Sequence, residues 1–277
     1  MATLEATGFD LSAYVGRSRA IDLSGLAWDE VRRYPLAPEA IRTLRYMQDI
    51  ESHTIIYLRE LLATRAVDEP EVATFLACWL YEETFHGIAL ARFLEAAGHR
   101  IGDRERPRGQ EPLIKRIEAS AVAVLSRLWP DFCALHMTWG AINELTTLTG
   151  YRRLAKVAGH PVLTELLDRI VLDESRHFFF YYRQAEMRLQ RPGAARVSRM
   201  IVDRFWAPVG SGEQAQAEVR FLANYLFADA EGVHAARKVD ETIRRLPGFA
   251  GVRLLEAWIE KMVPSRSGGG RNGHGHH

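Results

Sequence analysis

A chain of 277 residues with 47% hydrophobic and 26% charged residues can bury a sizeable core, which excludes a disordered or fibrous protein and favours one main globular domain. Its 36 basic and 35 acidic side chains leave a formal net charge of +1, so bulk electrostatics favours neither a nucleic-acid nor a membrane partner. Cys78 and Cys133 lie in apolar segments without metal-type spacing, and residues Met1 to Asp22 have no basic start or continuous apolar core. Free thiols in a cytoplasmic protein are the expectation.

Residues 1–36 mix Gly, Ser and Pro with short apolar groups, and are expected to form an arm with one short helix near Trp28. Little function is legible there. Pro38-Glu39 opens a long helical pattern in which Leu44, Met47, Glu51, Ile55, Leu58 and Leu62 recur at spacings of three or four. Pro70-Glu71 opens a second, with the stripe Leu76, Trp79, Glu83, His86, Leu90 and Leu94 running to a stop at Gly98. The segment from Arg100 to Arg116 is basic and broken by Gly and Pro, as a surface connection would be, and a short helix is expected over residues 113–128. Pro130 starts a third long helix carrying His136, Gly140, Glu144, Thr147 and Tyr151 on one side. Pro161 starts a fourth, with Leu163, Leu167, Ile170, Glu174, His177 and Tyr181, which Pro192-Gly193 is expected to end. Shorter helices follow near 197–205, 215–227, 231–246 and 252–262, and the Gly- and His-rich run 264–277 reads as a disordered tail. No segment alternates with period two, so the class is all-α, with a main domain over 37–263.

Four long helices thus each place a carboxylate on an apolar stripe: Glu51, Glu83, Glu144 and Glu174, with His86 and His177 three residues after the second and fourth. Residues three apart share a helix face, so each Glu-x-x-His pair offers one carboxylate and one imidazole to the same ion. An unpaired buried carboxylate costs several kcal/mol, and four of them need compensation that two divalent cations would supply. Two helices giving a Glu each and two giving Glu-x-x-His is the ligand pattern of ferritin-like dinuclear bundles. Mixed nitrogen and oxygen donors favour iron or manganese over magnesium or structural zinc. Glu82 and Asp173, next to the ligand pairs, are either acceptors for the ligand imidazoles or surface acids. Trp79 and Tyr81 read as core aromatics or as electron-transfer groups, and His136 as a hydrogen-bonded interior histidine. The run Phe178 to Tyr182 reads as core packing or as the wall of a pocket.

Trp79-x-x-Glu82-Glu83-x-x-His86-Gly87 and Asp173-Glu174-x-Arg176-His177 resemble the two signature motifs of the soluble acyl-[acyl-carrier-protein] desaturases, and Tyr57 and Thr147 stand where that family's helices carry such residues. The resemblance covers about residues 45 to 190 and implies a ferritin-like four-helix bundle with additional peripheral helices. It implies two iron ions (Mn/Fe as a variant) held by Glu51, Glu83, His86, Glu144, Glu174 and His177, with dioxygen as cosubstrate and C–H oxidation as the reaction. It further implies a role for Thr147 in proton relay, an acyl-carrier protein or other acyl thioester as substrate, a ferredoxin-like electron donor and a homodimer. The basic segment Arg100 to Arg116 would meet the acidic carrier. Thr84-Phe85 stands where plant-type members have Asn-Arg, and Phe178 where they have Glu, which keeps open an oxygenase or oxidase acting on a smaller metabolite. A non-enzymatic iron-storage role is the third reading.

Overall fold

The computed structural model describes residues 8–99, 124, 126–211 and 215–263, without the side chains of Ile56, Tyr57, Arg59 and Glu60. The Arg100 to Arg116 connection, the tail 264–277 and the Tyr57 side chain therefore lie outside the described residues, as does all of the 113–128 helix but Val124 and residues 126–128, which are helical. The described residues contain helices and no strand, so the chain is all-α. No described helix is long and apolar enough to cross a membrane.

The four long helices are α2 (Pro38–Leu62), α3 (Pro70–Ala96), α4 (Phe132–Ala158) and α5 (Pro161–Arg188), and they follow the short α1 (Leu11–Arg17). Local chemistry sets their ends. Proline at the first helical position fixes φ and gives up an N–H that no intrahelical acceptor would meet, as Pro70 and Pro161 do. Gly98, at φ 88°, lets the chain leave α3 while His99 N donates back to the Leu94 carbonyl at 2.8 Å. Gly159 does the same for α4 at φ 59°, and the His160 ring then accepts from Leu163 N at 3.1 Å to cap α5. A 3-10 turn over Trp28–Arg33 takes the place expected for the arm's helix, and α1 adds one the sequence pattern did not show.

The C-terminal part forms α6 (Pro192–Phe205), α7 (Gln216–Phe227), α8 (Ala230–Ile243) and α9 (Leu255–Met262). Pro192 starts α6 instead of merely ending α5, because it occupies a first-turn position where its missing N–H costs nothing. Two of the apolar positions expected on the core face of α2, Ile55 and Leu62, are more than half exposed, and Leu61 packs inward instead. The stripes on α3 and α5 are buried throughout.

The core separates into two apolar layers. One holds Phe75, Trp79, Ile142, Phe180 and Tyr181 with Ile243 and Phe249, and the other Leu44, Leu90, Phe93, Leu148, Leu167 and Ile170 with Phe227 and Leu255. Along α3, α4 and α5 the break between them falls at Glu83–His86, Glu144 and Glu174–His177. A polar layer is thus held between two dry ones, each large side chain of which contributes about 1.5–3 kcal/mol by burial. α4 packs most extensively on α5 and α2 on α3, so the polar layer is where the two helix pairs meet.

Candidate metal centre

All six candidate ligands lie in one buried cluster. Glu51, Glu83, His86 and Glu174 each bring a donor atom within 4.8 Å of the others, and so do Glu83, Glu144, Glu174 and His177. Glu83 and Glu174 belong to both groups, so they would face both ions of a pair, while Glu51 with His86 and Glu144 with His177 would each face one. The register is antiparallel: His177 Nδ1 lies 3.0 Å from Glu83 Oε1 and His86 Nδ1 lies 3.3 Å from Glu174 Oε1. Gly87 lets α2 come close enough for Glu51 to reach the others, since a Cβ there would stand 3.2 Å from Glu51 Cβ.

The cluster leaves its donor atoms orphaned. Glu83 Oε1, His86 Nδ1, both oxygens of Glu174 and His177 Nδ1 are buried without a hydrogen-bond partner. Native interiors leave few such atoms, and five facing one another mark a place that a cation satisfies. The residues therefore fit a metal pair, and the cluster can bind metal.

Electrostatics without the metal shows the strain. Burial, reinforced by the Glu83 charge, holds Glu51 well above the usual carboxylate range, and burial with the Glu174 and Glu83 charges does the same to Glu144. Burial would push both imidazoles down, but the Asp173, Glu174 and Glu83 carboxylates around His86, and those of Glu174, Glu82 and Glu83 around His177, hold them well above their ordinary value. Protons on the carboxyls and imidazoles thus take the place of positive charge that ions would bring.

The outer face of each imidazole is fixed by the opposite helix. His86 Nε2 lies 3.1 Å from Asp173 Oδ2 and His177 Nε2 lies 2.7 Å from Glu82 Oε2, so each inner Nδ1 is aimed at the cluster. Sequence alone left Glu82 and Asp173 open between this role and the surface, and the structure buries both. Arg176 ties them together, donating to Asp173 Oδ1 at 2.5 Å and to Glu82 Oε1 at 3.4 Å. The terminal carboxylates are held too: Trp79 Nε1 donates to Glu144 Oε1 at 3.0 Å, and the Tyr151 hydroxyl donates to Glu51 Oε1. Sequence reading missed the Tyr151 role, although the residue falls on the same stripe as Glu144 two turns on. It also missed Tyr14 of α1, whose hydroxyl donates to Glu82 Oε2 at 2.8 Å.

A small cleft of about 70 Å³ opens beside Glu51. Its walls are apolar, with Met47 and Ile50 of α2, Leu222 and Phe227 of α7, and Leu255 and Trp258 of α9, and Thr147 lies on its wall one turn from Glu144. The sequence readings of several other residues are revised or decided here. Tyr81 is 46% exposed and so is no core aromatic, whereas Trp79 is buried. Phe180 and Tyr181 are core, with Phe180 stacked on Phe75 at 3.8 Å, while Phe179 is largely exposed and none of the run lines the cleft. His136 is buried, but its Nε2 has no hydrogen-bond partner, and burial lowers its pKa to about 4. The two cysteines are free and half-buried rather than fully buried, and burial pushes the Cys133 thiol up to about 12.

No family model matches the chain, and no curated protein or solved structure is detectably similar to it.

Proposed function

We propose that the chain is a ferritin-like, iron-dependent oxidoreductase that uses dioxygen to oxidise a C–H bond of an apolar substrate in the cleft beside Glu51. The observation that carries this reading is the convergence of buried carboxylates and imidazoles from four helices, with the donor atoms of Glu83, His86, Glu174 and His177 on α3 and α5 left orphaned. A pair of iron ions bound there would supply the oxidising power that no side chain has.

The chain's own residues do the rest. Asp173 and Glu82 hold the Nε2 edges of the two imidazoles so that Nδ1 faces inward, and Trp79 and Tyr151 each engage one oxygen of a terminal carboxylate, leaving the other for an ion. The two apolar layers keep water from the reacting centre. Thr147 lies on the cleft wall, which supports a role for its hydroxyl in relaying a proton. Among the described residues lining the cleft Glu51 is the only acidic or basic one, which suits an uncharged hydrocarbon and supports the acyl chain of a carrier-bound thioester as substrate. Electrons would come from a separate ferredoxin-like donor, since the sequence has neither a dinucleotide-binding Gly motif nor cluster-forming cysteines. A second reading, oxygenation of a smaller apolar metabolite, is favoured by the share of the cleft wall that Phe227, Leu255 and Trp258 of the C-terminal helices contribute.

The test is anaerobic loading with Fe(II), a metal count, and absorption and Mössbauer spectra on exposure to dioxygen, with Glu83→Ala and Glu174→Ala beside the wild type. Two irons per chain that react in the wild type and not in the variants are expected. A folded wild type that takes up no metal pair would overturn the reading. Saturated acyl-carrier thioesters then separate the two substrates: an olefin supports the first, and no consumption of the chain supports the second.

A further inference from the structure

The N-terminal helix reaches the candidate metal centre through one side chain. Tyr14 is 3% exposed, and its hydroxyl donates at 2.8 Å to the same Glu82 oxygen, Oε2, that engages His177 Nε2 at 2.7 Å. The arrangement is one-sided. Asp173, the matching acceptor for His86, has a side chain 13% exposed to solvent and, among the described residues, accepts from Arg176 and no tyrosine, whereas the Glu82 side chain is wholly buried. Around Tyr14 the arm is fixed by aromatic packing: Phe9 lies 5.6 Å from Tyr14 and 5.1 Å from Phe180, and Tyr14 lies 5.3 Å from Phe75. Tyr14 and Phe75 both meet the His177 ring edge-on, at 6.4 and 6.2 Å. A helix of 7 residues has no stability of its own, so α1 stays in place only through these contacts.

We propose that α1 is the closing element of the metal centre: Tyr14 positions Glu82, and through it His177, so that docking of the arm and occupancy of the Glu83–Glu144–Glu174–His177 half strengthen each other. This rests on the metal-binding reading above. The coupling follows from geometry and reciprocity. An ion bound at His177 Nδ1 fixes the ring, the ring fixes Glu82, and Glu82 presents a settled acceptor to Tyr14. Whatever α1 gains from that acceptor the ion gains from α1. The other half, built on Glu51 and His86, shares Glu83 and Glu174 with this one and meets Glu82 only through Arg176, so the arm acts on it less directly.

Tyr14→Phe tests it, since the ring and its packing stay and only the hydroxyl goes. Stepwise Mn(II) and Co(II) affinities by chelator competition, with limited proteolysis of residues 8–25 at each occupancy, give readouts other than turnover. The wild type is expected to bind two ions and to protect the arm as the second half fills. In Tyr14→Phe one ion should bind about tenfold more weakly and the other be affected much less, and the metal-dependent protection should shrink. Phe9→Leu, which loosens the arm and keeps the hydroxyl, should weaken the same ion. The inference is overturned if Tyr14→Phe binds both ions as the wild type does, if it weakens both equally, or if arm protection ignores metal. A merely structural tyrosine would lower the melting temperature with and without metal by the same amount. If the wild type itself binds no ion pair, the metal centre fails, and that outcome is read from the wild type alone.

Discussion

Gly140 on α4 faces the ring of Tyr181 on α5 so closely that a Cβ added there would lie 2.3 Å from Cδ1 and 2.4 Å from Cε1. Unstrained carbon contacts lie near 3.5–4.0 Å, so in Gly140→Ala the ring must retreat by more than an ångström. It has nowhere to go. Tyr181 is 1% exposed, with Phe75 and Trp79 against it at 5.2 and 6.3 Å. Overpacking of this kind costs about 3 kcal/mol, and replacing a helical glycine by alanine returns about 1 kcal/mol, for a net loss of about 2 kcal/mol. For a chain this size that is a fall in Tm of about 4–8 °C, read by circular dichroism or calorimetry. Because Trp79 donates to Glu144, the displaced ring should also loosen the metal ion on that side, and metal affinity should fall with stability. A Gly140→Ala protein that melts at or above the wild-type temperature would refute the packing argument, since it would mean α4 and α5 separate there at no cost.

The remaining predictions concern the polar layer itself. Trp79→Phe keeps the aromatic packing and removes the donor to Glu144, so one metal ion should bind about tenfold more weakly in a chelator competition while the unfolding midpoint of the metal-free protein moves little. Metal uptake should release protons: His86, His177, Glu51 and Glu144 are all held above their ordinary values without metal, so affinity should fall as pH drops, and calorimetry in buffers of different ionisation enthalpy should show more than one proton leaving per ion pair. His136, lowered to about 4 by burial, is neutral in the fold while the unfolded chain takes a proton from about pH 6.5 downward. Its neutral form therefore contributes stability in full above pH 6.5, and that contribution, about 3 kcal/mol, is lost as pH falls to 4. Urea unfolding in chelator should show His136→Leu losing less stability than the wild type over that window, and an equal loss would exclude the assignment.

The buried carboxylate and imidazole cluster was legible in the sequence because two rules collide at its positions. A period of 3.6 residues puts Glu83, His86, Glu174 and His177 on stripes otherwise made of Leu, Trp, Ile and Tyr, and such stripes are buried, so each polar group there needs a partner. Helix starts were legible for a related reason: Pro70 and Pro161 fit only at first turns. The outer partners were not, because they depend on how helices cross. Glu82 sits beside His86 in the sequence's own pattern but serves His177 on α5, and Asp173 serves His86 on α3, a swap that only the antiparallel register creates. Tyr14 left no signal because seven residues make too few turns for a periodic pattern, and its partner lies 68 residues away. Ile55 and Leu62 misled for the opposite reason: periodicity marks a face, and the α2 face that packs is rotated toward Leu58 and Leu61.

The two halves of the cluster differ in what surrounds them, and that difference orders the chemistry. Glu51, which belongs with His86, lines the cleft, as does the Tyr151 that holds it, and the His86 acceptor Asp173 is the partly exposed one. His177 faces Phe75, Tyr14 and a wholly buried Glu82, on the side the arm covers. Under the proposed function, an apolar substrate entering the cleft would therefore meet the Glu51–His86 half first. A carboxylate can shift between one and two metal contacts only where neighbouring atoms leave it room. Glu51 borders open cleft space and accepts from the Tyr151 hydroxyl, whereas Glu144 is held by Trp79 within the aromatic layer. If the proposed function holds, movement during turnover belongs on the Glu51 side, and retention of the ions on the side where α1 packs.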